Sequence, residues 1–263
     1  MHWLNTIIYG VVEGITEFLP ISSTGHLLVA EHLLRDPRSE FFLVGIQAGA
    51  VLAIVLVYWR RLLDLTLRLT RRDNLDYTLK LAVAFGVTVT LALTARQLGV
   101  SLPGNLAPIA WATLIGAPVI FLAEHALARR PRRDTVSWPV AIVSGLAQVV
   151  AALCPGASRS GATIIAGMLC GASRSAATEF SFLLGIPTMF AATGYELRAL
   201  LKQPGAGADG ELGHFALGFA IATVSAFLAV KWLLGYVRAH SFRPFAWYRL
   251  ALGLALLWWI YTR

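Results

Sequence analysis

Residues 13–26 read Glu-Gly-Ile-Thr-Glu-Phe-Leu-Pro-Ile-Ser-Ser-Thr-Gly-His, and this segment decides how the rest of the chain is interpreted. It places two carboxylates, several hydroxyls and an imidazole between two apolar stretches. Ionisable groups at membrane depth are costly, so their presence there indicates function. A second segment, residues 155–163, reads Pro-Gly-Ala-Ser-Arg-Ser-Gly-Ala-Thr and again combines glycine, hydroxyls and charge. We expect these two polar segments to meet in one phosphate-handling site.

The composition around them is that of a polytopic membrane protein. The chain has 263 residues, of which 57% are hydrophobic and only 14% are charged. Soluble domains average about a quarter charged residues, so such a chain cannot hide its apolar surface from water. The net charge of +8 comes from arginines in short loops between apolar runs, where they set membrane topology. Binding to nucleic acid is therefore not expected.

Two of the apolar regions are interrupted by a proline and a polar run. Residues 3–34 break near Pro20, and residues 138–171 break near Pro155. Each half is shorter than the roughly 20 residues that a spanning helix needs. Non-helical backbone inside a membrane is tolerated only where protein or water lines it, so we predict two re-entrant helical hairpins. One kinked span over residues 3–34 is the alternative.

The remaining apolar runs predict six full spans in an all-α protein. They are Phe41–Trp59, Thr78–Leu98, Ala107–Ala123, Ala176–Tyr195, His214–Tyr236 and Phe245–Ile260. Arginine-rich loops at 60–77 and 129–133 are expected in the cytoplasm, because cytoplasmic loops carry an excess of positive charge. The first hairpin then opens from the outer face and the second from the cytoplasmic face, with the 204–213 loop outside.

The order of these elements indicates an internal repeat. Gly10, Glu13 and Pro20 recur at the same spacing as Gly145, Gln148 and Pro155. We predict one integral membrane domain, residues 1–263, with one repeat at 1–134 and the other at 135–263. Each repeat has one hairpin and three spans, so the two enter the membrane in opposite directions, as in inverted repeats whose broken helices form sites near the midplane. Glycines spaced four residues apart permit close contacts between helices, either within one chain or between two copies in a homodimer.

The first polar segment carries the acidic groups of the predicted site. Glu13 and Glu17 are four residues apart, so on a helix they share a face. Two neighbouring carboxylates in apolar surroundings repel each other unless a cation lies between them. A hard divalent ion with oxygen ligands, or a guanidinium, would supply that cation. The alternative is two glutamates that face a water-filled cavity without a catalytic role.

The same segment continues into a candidate anion site. Hydroxyls and a glycine precede a helix that starts near His26, and backbone N–H groups at a helix N-terminus bind anions. His26 follows Ser23 by three residues, close enough for a hydrogen bond, which would pair a nucleophile with a base. The plainer alternative is a helix N-cap and a structural histidine.

The second polar segment adds a guanidinium to a similar helix start. Arg159 has the planar fork that binds phosphate through two hydrogen bonds. An arginine in this setting needs an anionic partner, which Glu13, Glu17 or a phosphate would provide. Together the two segments have the groups for phosphoryl transfer or phosphate-ester hydrolysis within reach of lipid.

The motifs resemble those of the bacterial undecaprenyl-diphosphatase family, the bacitracin-resistance proteins. The resemblance rests on Glu13 and Glu17, on residues 22–26 and on residues 155–163, and it extends over essentially the whole chain. It implies hydrolysis of undecaprenyl diphosphate to undecaprenyl phosphate and inorganic phosphate, which recycles the lipid carrier for cell-wall synthesis. It also implies a bacterial inner-membrane protein with its site facing the periplasm and a requirement for Mg²⁺ or Ca²⁺.

The resemblance also implies residue roles. The catalytic set is Glu13, Glu17, Ser23, His26 and Arg159. Ser23 would attack the terminal phosphorus with help from His26, while Glu13 and Glu17 hold the metal or position a proton. The residues expected to bind the diphosphate are Ser22, Thr24, Gly25, Ser158, Ser160, Gly161 and Thr163. His26 or a water molecule as the nucleophile remains an alternative.

Two other functions compete with this one. Inverted repeats with broken helices are typical of transporters, so a polyprenyl-phosphate lipid transporter or flippase is the main alternative. Such a protein would need Arg159 and the hydroxyls but no hydroxyl–imidazole pair. A phosphatidic-acid-type phosphatase is weaker, because the further motifs of that superfamily are not found in order.

Overall fold

A computed structural model describes residues 2–99, 106–127, 133–200, 202 and 211–262. These residues form eleven α-helices and no strand. The helices are α1 (Trp3–Thr16), α2 (Ser23–Leu34), α3 (Glu40–Val57), α4 (Trp59–Leu67), α5 (Arg72–Gln97), α6 (Leu106–Leu127), α7 (Trp138–Leu153), α8 (Arg159–Leu169), α9 (Arg174–Leu200), α10 (Glu211–Ala239) and α11 (Arg243–Tyr261). Arginines 129, 130 and 132 and residues 204–210 of the predicted outer loop lie outside the described residues.

Four of the described helices are long and apolar enough to cross a membrane. They are Glu40–Val57, Arg72–Gln97, Leu106–Ala126 and Leu212–Ala239. The prediction of an all-helical membrane protein is confirmed, and four of the predicted spans correspond to these helices. The other two coincide with α9 and α11 but are not among the four, so six spans remain a prediction.

One region predicted as a loop is helical. Residues 60–77 contain all of α4 except its first residue, and the first turns of α5. The Asn74 side chain joins them by donating hydrogen bonds to the carboxylate and the carbonyl of Asp64, both at 3.0 Å. The helices were missed because this segment is rich in charge and lies outside the apolar runs from which the spans were predicted.

The glycine pairs of α1 and α3 are used for packing inside the chain. Both helices pack along α10. A Cβ atom on Gly14 would lie 2.6 Å from the Ala222 carbonyl oxygen, and one on Gly49 would overlap the backbone of Phe219. Small residues allow this close approach between helices. These glycines therefore supply no face for a second copy, and a homodimer stays a prediction.

A buried ion pair joins three helical segments away from the polar segments. Glu124 on α6 is 2% exposed. Its Oε1 accepts hydrogen bonds from Arg174 Nε and from the backbone N–H of Phe242, both at 2.8 Å. Breaking a buried pair by removing one partner is costly, so this contact fixes α6, α9 and the start of α11 relative to one another.

The main hydrophobic core lies directly beside the first polar segment. Phe18 and Leu19 belong to the same buried cluster as Ile54, Ile164 and Phe182. The Phe18 and Phe182 rings meet edge to face, with centroids 5.4 Å apart. The irregular backbone around Pro20 is thus enclosed by protein, which is the condition for irregular backbone at membrane depth.

Candidate active site

The first polar segment breaks the helix at residues 17–22. Helix α1 ends at Thr16 and α2 begins at Ser23. Ser22 has φ 74° and ψ 97°, and its Oγ accepts a hydrogen bond from the Gly25 N–H at 3.4 Å. Pro20 lacks a backbone N–H, and a serine hydroxyl satisfies the N–H groups of a following helix, so the local sequence accounts for the break.

The second polar segment has the same local form. Ser158 has φ 66° and ψ 111°, and its Oγ accepts from the Gly161 N–H at 3.2 Å. Gly156 has φ 97°, and a Cβ there would overlap the carbonyl of Ile109 on α6. Only glycine fits this position, because it must adopt a positive φ and also allow another backbone to approach.

The two segments are in direct contact, as the sequence predicted. Ser160 Oγ donates to the carbonyl oxygen of Leu19 at 3.1 Å, and Ser158 Oγ is 3.4 Å from the same oxygen. In addition, Thr163 Oγ1 donates to the carbonyl of Arg159 at 2.9 Å and is hydrogen-bonded to Ser181. The hydroxyls predicted at 158, 160 and 163 are thus engaged in holding the backbone together.

Glu17 is the residue through which the two segments meet chemically. It is 9% exposed. Its Oε2 accepts a hydrogen bond from Ser23 Oγ at 2.6 Å, and its Oε1 accepts one from Arg159 Nη2 at 3.2 Å. The predicted anionic partner of Arg159 is therefore Glu17, which also touches the candidate nucleophile.

The guanidinium of Arg159 is only partly satisfied by these contacts. It lies over the Phe18 ring at 5.3 Å from the ring centroid, and Nη2 also contacts Met189 Sδ at 3.0 Å. Its Nε and Nη1 are buried and have no hydrogen-bond partner among the described residues. Space for the group comes from Gly185 of α9, where a Cβ would overlap Nη1. Two N–H-bearing nitrogens of Arg159 are therefore left without a partner among the described residues.

Glu13 lies one helical turn before Glu17. It is 2% exposed, and its Oε2 is buried without a hydrogen-bond partner among the described residues. A buried carboxylate oxygen without a partner is costly, so this atom is suited to a cation or a proton. No group of three or more His, Cys, Asp or Glu side chains forms a metal cluster in the part of the chain that the structure describes.

The predicted hydrogen bond between Ser23 and His26 is wrong. His26 Nδ1 lies 2.6 Å from the carbonyl oxygen of Ser22, and its Nε2 lies 2.6 Å from the Tyr248 hydroxyl. Both ring nitrogens are thus engaged elsewhere, because the imidazole folds back onto the backbone one turn earlier. The spacing of three residues placed Ser23 and His26 close along the helix but did not fix the direction of the ring.

The remaining predicted binding residues border the start of α2. Gly25 is buried, and its N–H is bound by the Ser22 side chain. Thr24 is exposed. The part of Thr24 and Gly25 in binding a diphosphate stays a prediction.

Sequence reasoning missed Arg249 of α11, which is 1% exposed. Its guanidinium donates hydrogen bonds to five carbonyl oxygens, all between 3.0 and 3.3 Å: Pro20, Ala112, Thr113, Gly156 and Ala157. Two of these carbonyls belong to α6, and the other three belong to the breaks in the two polar segments. The sequence did contain a signal for Arg249, since it is the single charged residue of an apolar predicted span, and charged residues at such positions usually have a function.

Comparisons of the whole chain with a family model and with individual known proteins lead to the same family. A family model for the bacitracin resistance protein BacA matches residues 6–255. The chain is 52% identical over 258 residues to an undecaprenyl-diphosphatase of Rhizobium etli, with 98% of this chain and 97% of the relative covered. Undecaprenyl-diphosphatases of Xanthomonas oryzae pv. oryzae and Rhizobium johnstonii are 52% and 51% identical over the same shares.

Proposed function

The chain belongs to the bacitracin resistance protein BacA family, and from that premise we propose that it hydrolyses undecaprenyl diphosphate to undecaprenyl phosphate and inorganic phosphate. This reaction recycles the lipid carrier of cell-wall synthesis and gives resistance to bacitracin. The substrate joins a long apolar chain to a diphosphate. A membrane protein that holds polar groups in a break between buried helices suits both parts.

The observation that carries the proposal is the state of Arg159. One nitrogen of its guanidinium binds Glu17, while Nε and Nη1 have no partner among the described residues. A buried guanidinium with free N–H groups fits a phosphate, because charge-assisted hydrogen bonds to phosphate are strong and directional. The N-termini of α2 and α8 add backbone N–H groups and the positive ends of two helix dipoles.

Ser23 is the nucleophile that the geometry supports. Its hydroxyl already donates to Glu17 Oε2 at 2.6 Å, so Glu17 can take the proton as Ser23 Oγ attacks the terminal phosphorus. The bond from that phosphorus to the bridging oxygen breaks, and undecaprenyl phosphate leaves with the bonding electrons. Water then attacks the phosphoserine and gives a proton to His26 Nε2, while Ser23 Oγ regains its proton from Glu17. Substantial phosphate release by Ser23→Ala would contradict this assignment and favour His26 or water as the nucleophile.

Glu13 and Glu17 fit a divalent cation of the hard type. Carboxylate oxygens are the ligands that Mg²⁺ and Ca²⁺ prefer, and Glu13 Oε2 is buried without a partner among the described residues. Two carboxylates do not complete a coordination shell, so diphosphate oxygens and water would supply the other ligands. When bound, the ion would neutralise charge on the phosphate oxygens.

The topology belongs to the same proposal. Residues 1–134 and 135–263 form inverted repeats, each with a re-entrant hairpin and three spans. The matching backbone of Ser22 and Ser158 supports this, as does the order of the helices, since α1–α2 precede the long helix α3 and α7–α8 precede α9. Exposed arginines 60, 68, 71 and 72 at α4 and α5 support a cytoplasmic side there. The site would then face the periplasm of a bacterial inner-membrane protein.

The test is phosphate release from undecaprenyl diphosphate by detergent-purified protein, with and without a chelator. Arg159→Ala should lower release by about 10³-fold, the loss expected when a group that stabilises phosphate charge is removed. Arg198→Ala is the matched control, because Arg198 lies exposed on α9. Lipid binding without phosphate release by the wild type would contradict the proposal and favour a lipid transporter.

A further inference from the structure

The two hydrogen bonds of His26 define which of its nitrogens is basic. Nδ1 lies 2.6 Å from the Ser22 carbonyl oxygen, which can only accept, so Nδ1 carries the hydrogen. In the neutral imidazole the other nitrogen, Nε2, is then an acceptor. The Tyr248 hydroxyl lies 2.6 Å from Nε2 and therefore donates to it. The basic nitrogen of His26 is thus the one that contacts Tyr248 of α11.

Tyr248 is held in place for this contact. Its ring is parallel to the imidazole within 4°, with the centroids 5.6 Å apart. Its neighbour Arg249 binds the carbonyl oxygens of Pro20 and Ala157, which ties this part of α11 to both polar segments. Tyr248 itself is 45% exposed, so its hydroxyl can move aside without opening the buried core.

We propose that Tyr248 is a positioning residue for the hydrolysis, acting through His26. Its hydroxyl keeps the imidazole oriented with Nε2 unprotonated and pointing out of α2, and it yields that nitrogen to the water that attacks the phosphoserine. This role rests on the proposed function. Tyr248 lies outside both polar segments, and only the packing of α11 brings it to His26.

The experiment compares Tyr248→Phe with the wild type. Phenylalanine keeps the stacked ring and removes only the hydroxyl. We expect kcat for phosphate release to fall about 10-fold with KM unchanged, because the lost interaction serves the chemical step and not substrate binding. Tyr261→Phe is the matched control, since Tyr261 is on the same helix and is 71% exposed. Equal Tm values would show that the variants are folded.

A second readout reports the contact independently of activity. Diethyl pyrocarbonate reacts with an unprotonated imidazole nitrogen, and peptide mass spectrometry resolves the rate at His26 from that at the other histidines. Labelling of His26 should be several-fold faster in Tyr248→Phe than in the wild type or in Tyr261→Phe.

Two results would overturn the proposal. Equal labelling rates would mean that Tyr248 does not hold Nε2, and faster labelling with an unchanged kcat would mean that the contact does not serve the reaction. If the wild type releases no phosphate, the proposed function itself fails, and the role of Tyr248 in it falls too, whatever the labelling rates.

Discussion

The breaks in the two polar segments share one backbone and divide the chemistry between them. Ser22 and Ser158 have nearly the same dihedral angles, and each hydroxyl caps the helix that follows. The first segment then contributes two carboxylates, a hydroxyl and an imidazole, whereas the second contributes a guanidinium. A repeated backbone can thus supply two anion-binding helix ends while the side chains at equivalent places differ in charge.

Two buried arginines differ in how completely their hydrogen-bond donors are used. Arg249 gives its hydrogen bonds to five backbone carbonyls, so it is saturated by the fold. Arg159 binds one carboxylate and keeps two nitrogens free of partners among the described residues. Saturation indicates a structural role, and incomplete pairing indicates a place for a ligand. The following variants test that distinction.

The largest expected effect is at Glu17, where the two segments meet. Glu17→Gln replaces the carboxylate that accepts the hydrogen bond of Ser23 and pairs with Arg159. We expect kcat to fall by about 10³-fold, as for a loss of combined proton transfer and charge stabilisation. Steady-state phosphate release measures it. Glu196→Gln, at an exposed position on α9, is the control, and a loss below 10-fold at Glu17 would contradict the assigned role.

Arg249→Met should lower the stability of the protein more than its activity. It leaves five carbonyl oxygens without their donor, and each buried polar group without a partner costs about 1–3 kcal/mol. A loss above about 3 kcal/mol is expected, which corresponds to a Tm about 6–12 °C lower. Thermal unfolding in detergent measures it, with Arg243→Met, exposed on the same helix, as the control. A Tm within 2 °C of the wild type would show that these hydrogen bonds contribute little.

Glycine-to-alanine substitutions beside the two guanidinium groups test the ligand-binding role of Arg159 separately from the structural role of Arg249. A Cβ on Gly185 would overlap Arg159, and one on Gly116 would overlap Arg249. Gly185→Ala should lower kcat/KM by about 10- to 100-fold, since small displacements of catalytic groups are costly. Gly116→Ala should chiefly lower Tm. The control is Gly194→Ala on α9, because no atom lies within 4 Å of a Cβ there; equal activity of all three variants would refute the distinction.

The smallest effect concerns the polar turn between α4 and α5, which lies outside both segments. The hydrogen bond from Asn74 holds the pKa of the Asp64 carboxyl below its ordinary value, with a smaller contribution from nearby arginines. A lowered pKa in the folded state adds stability above the ordinary value of 3.8 and loses it as the pH falls through the lowered one. The Tm advantage of the wild type over Asp64→Asn should therefore be present at pH 6 and shrink below pH about 4. Asp73→Asn is the control, and an advantage that does not change with pH would contradict the expectation.

Much of this protein follows from local sequence. Apolar runs predicted the helical membrane fold, because hydropathy and helix length depend on neighbouring residues alone. The breaks near Pro20 and Pro155 were predictable for the same reason, since proline, glycine and serine act on the adjacent backbone. Helix α4 was not predicted, because the spans were predicted from apolar runs and this short helix is rich in charge.

Tertiary structure alone decided how the polar groups pair. Arg249 reaches Pro20 across 229 residues, and His26 reaches Tyr248 across 222. Ser23 donates to Glu17, and His26, which was expected to bind it, contacts Ser22 and Tyr248. The sequence thus determined which polar groups interrupt the apolar helices. Their partners depend on distances of about 3 Å between helices, and only the packing of those helices sets such distances.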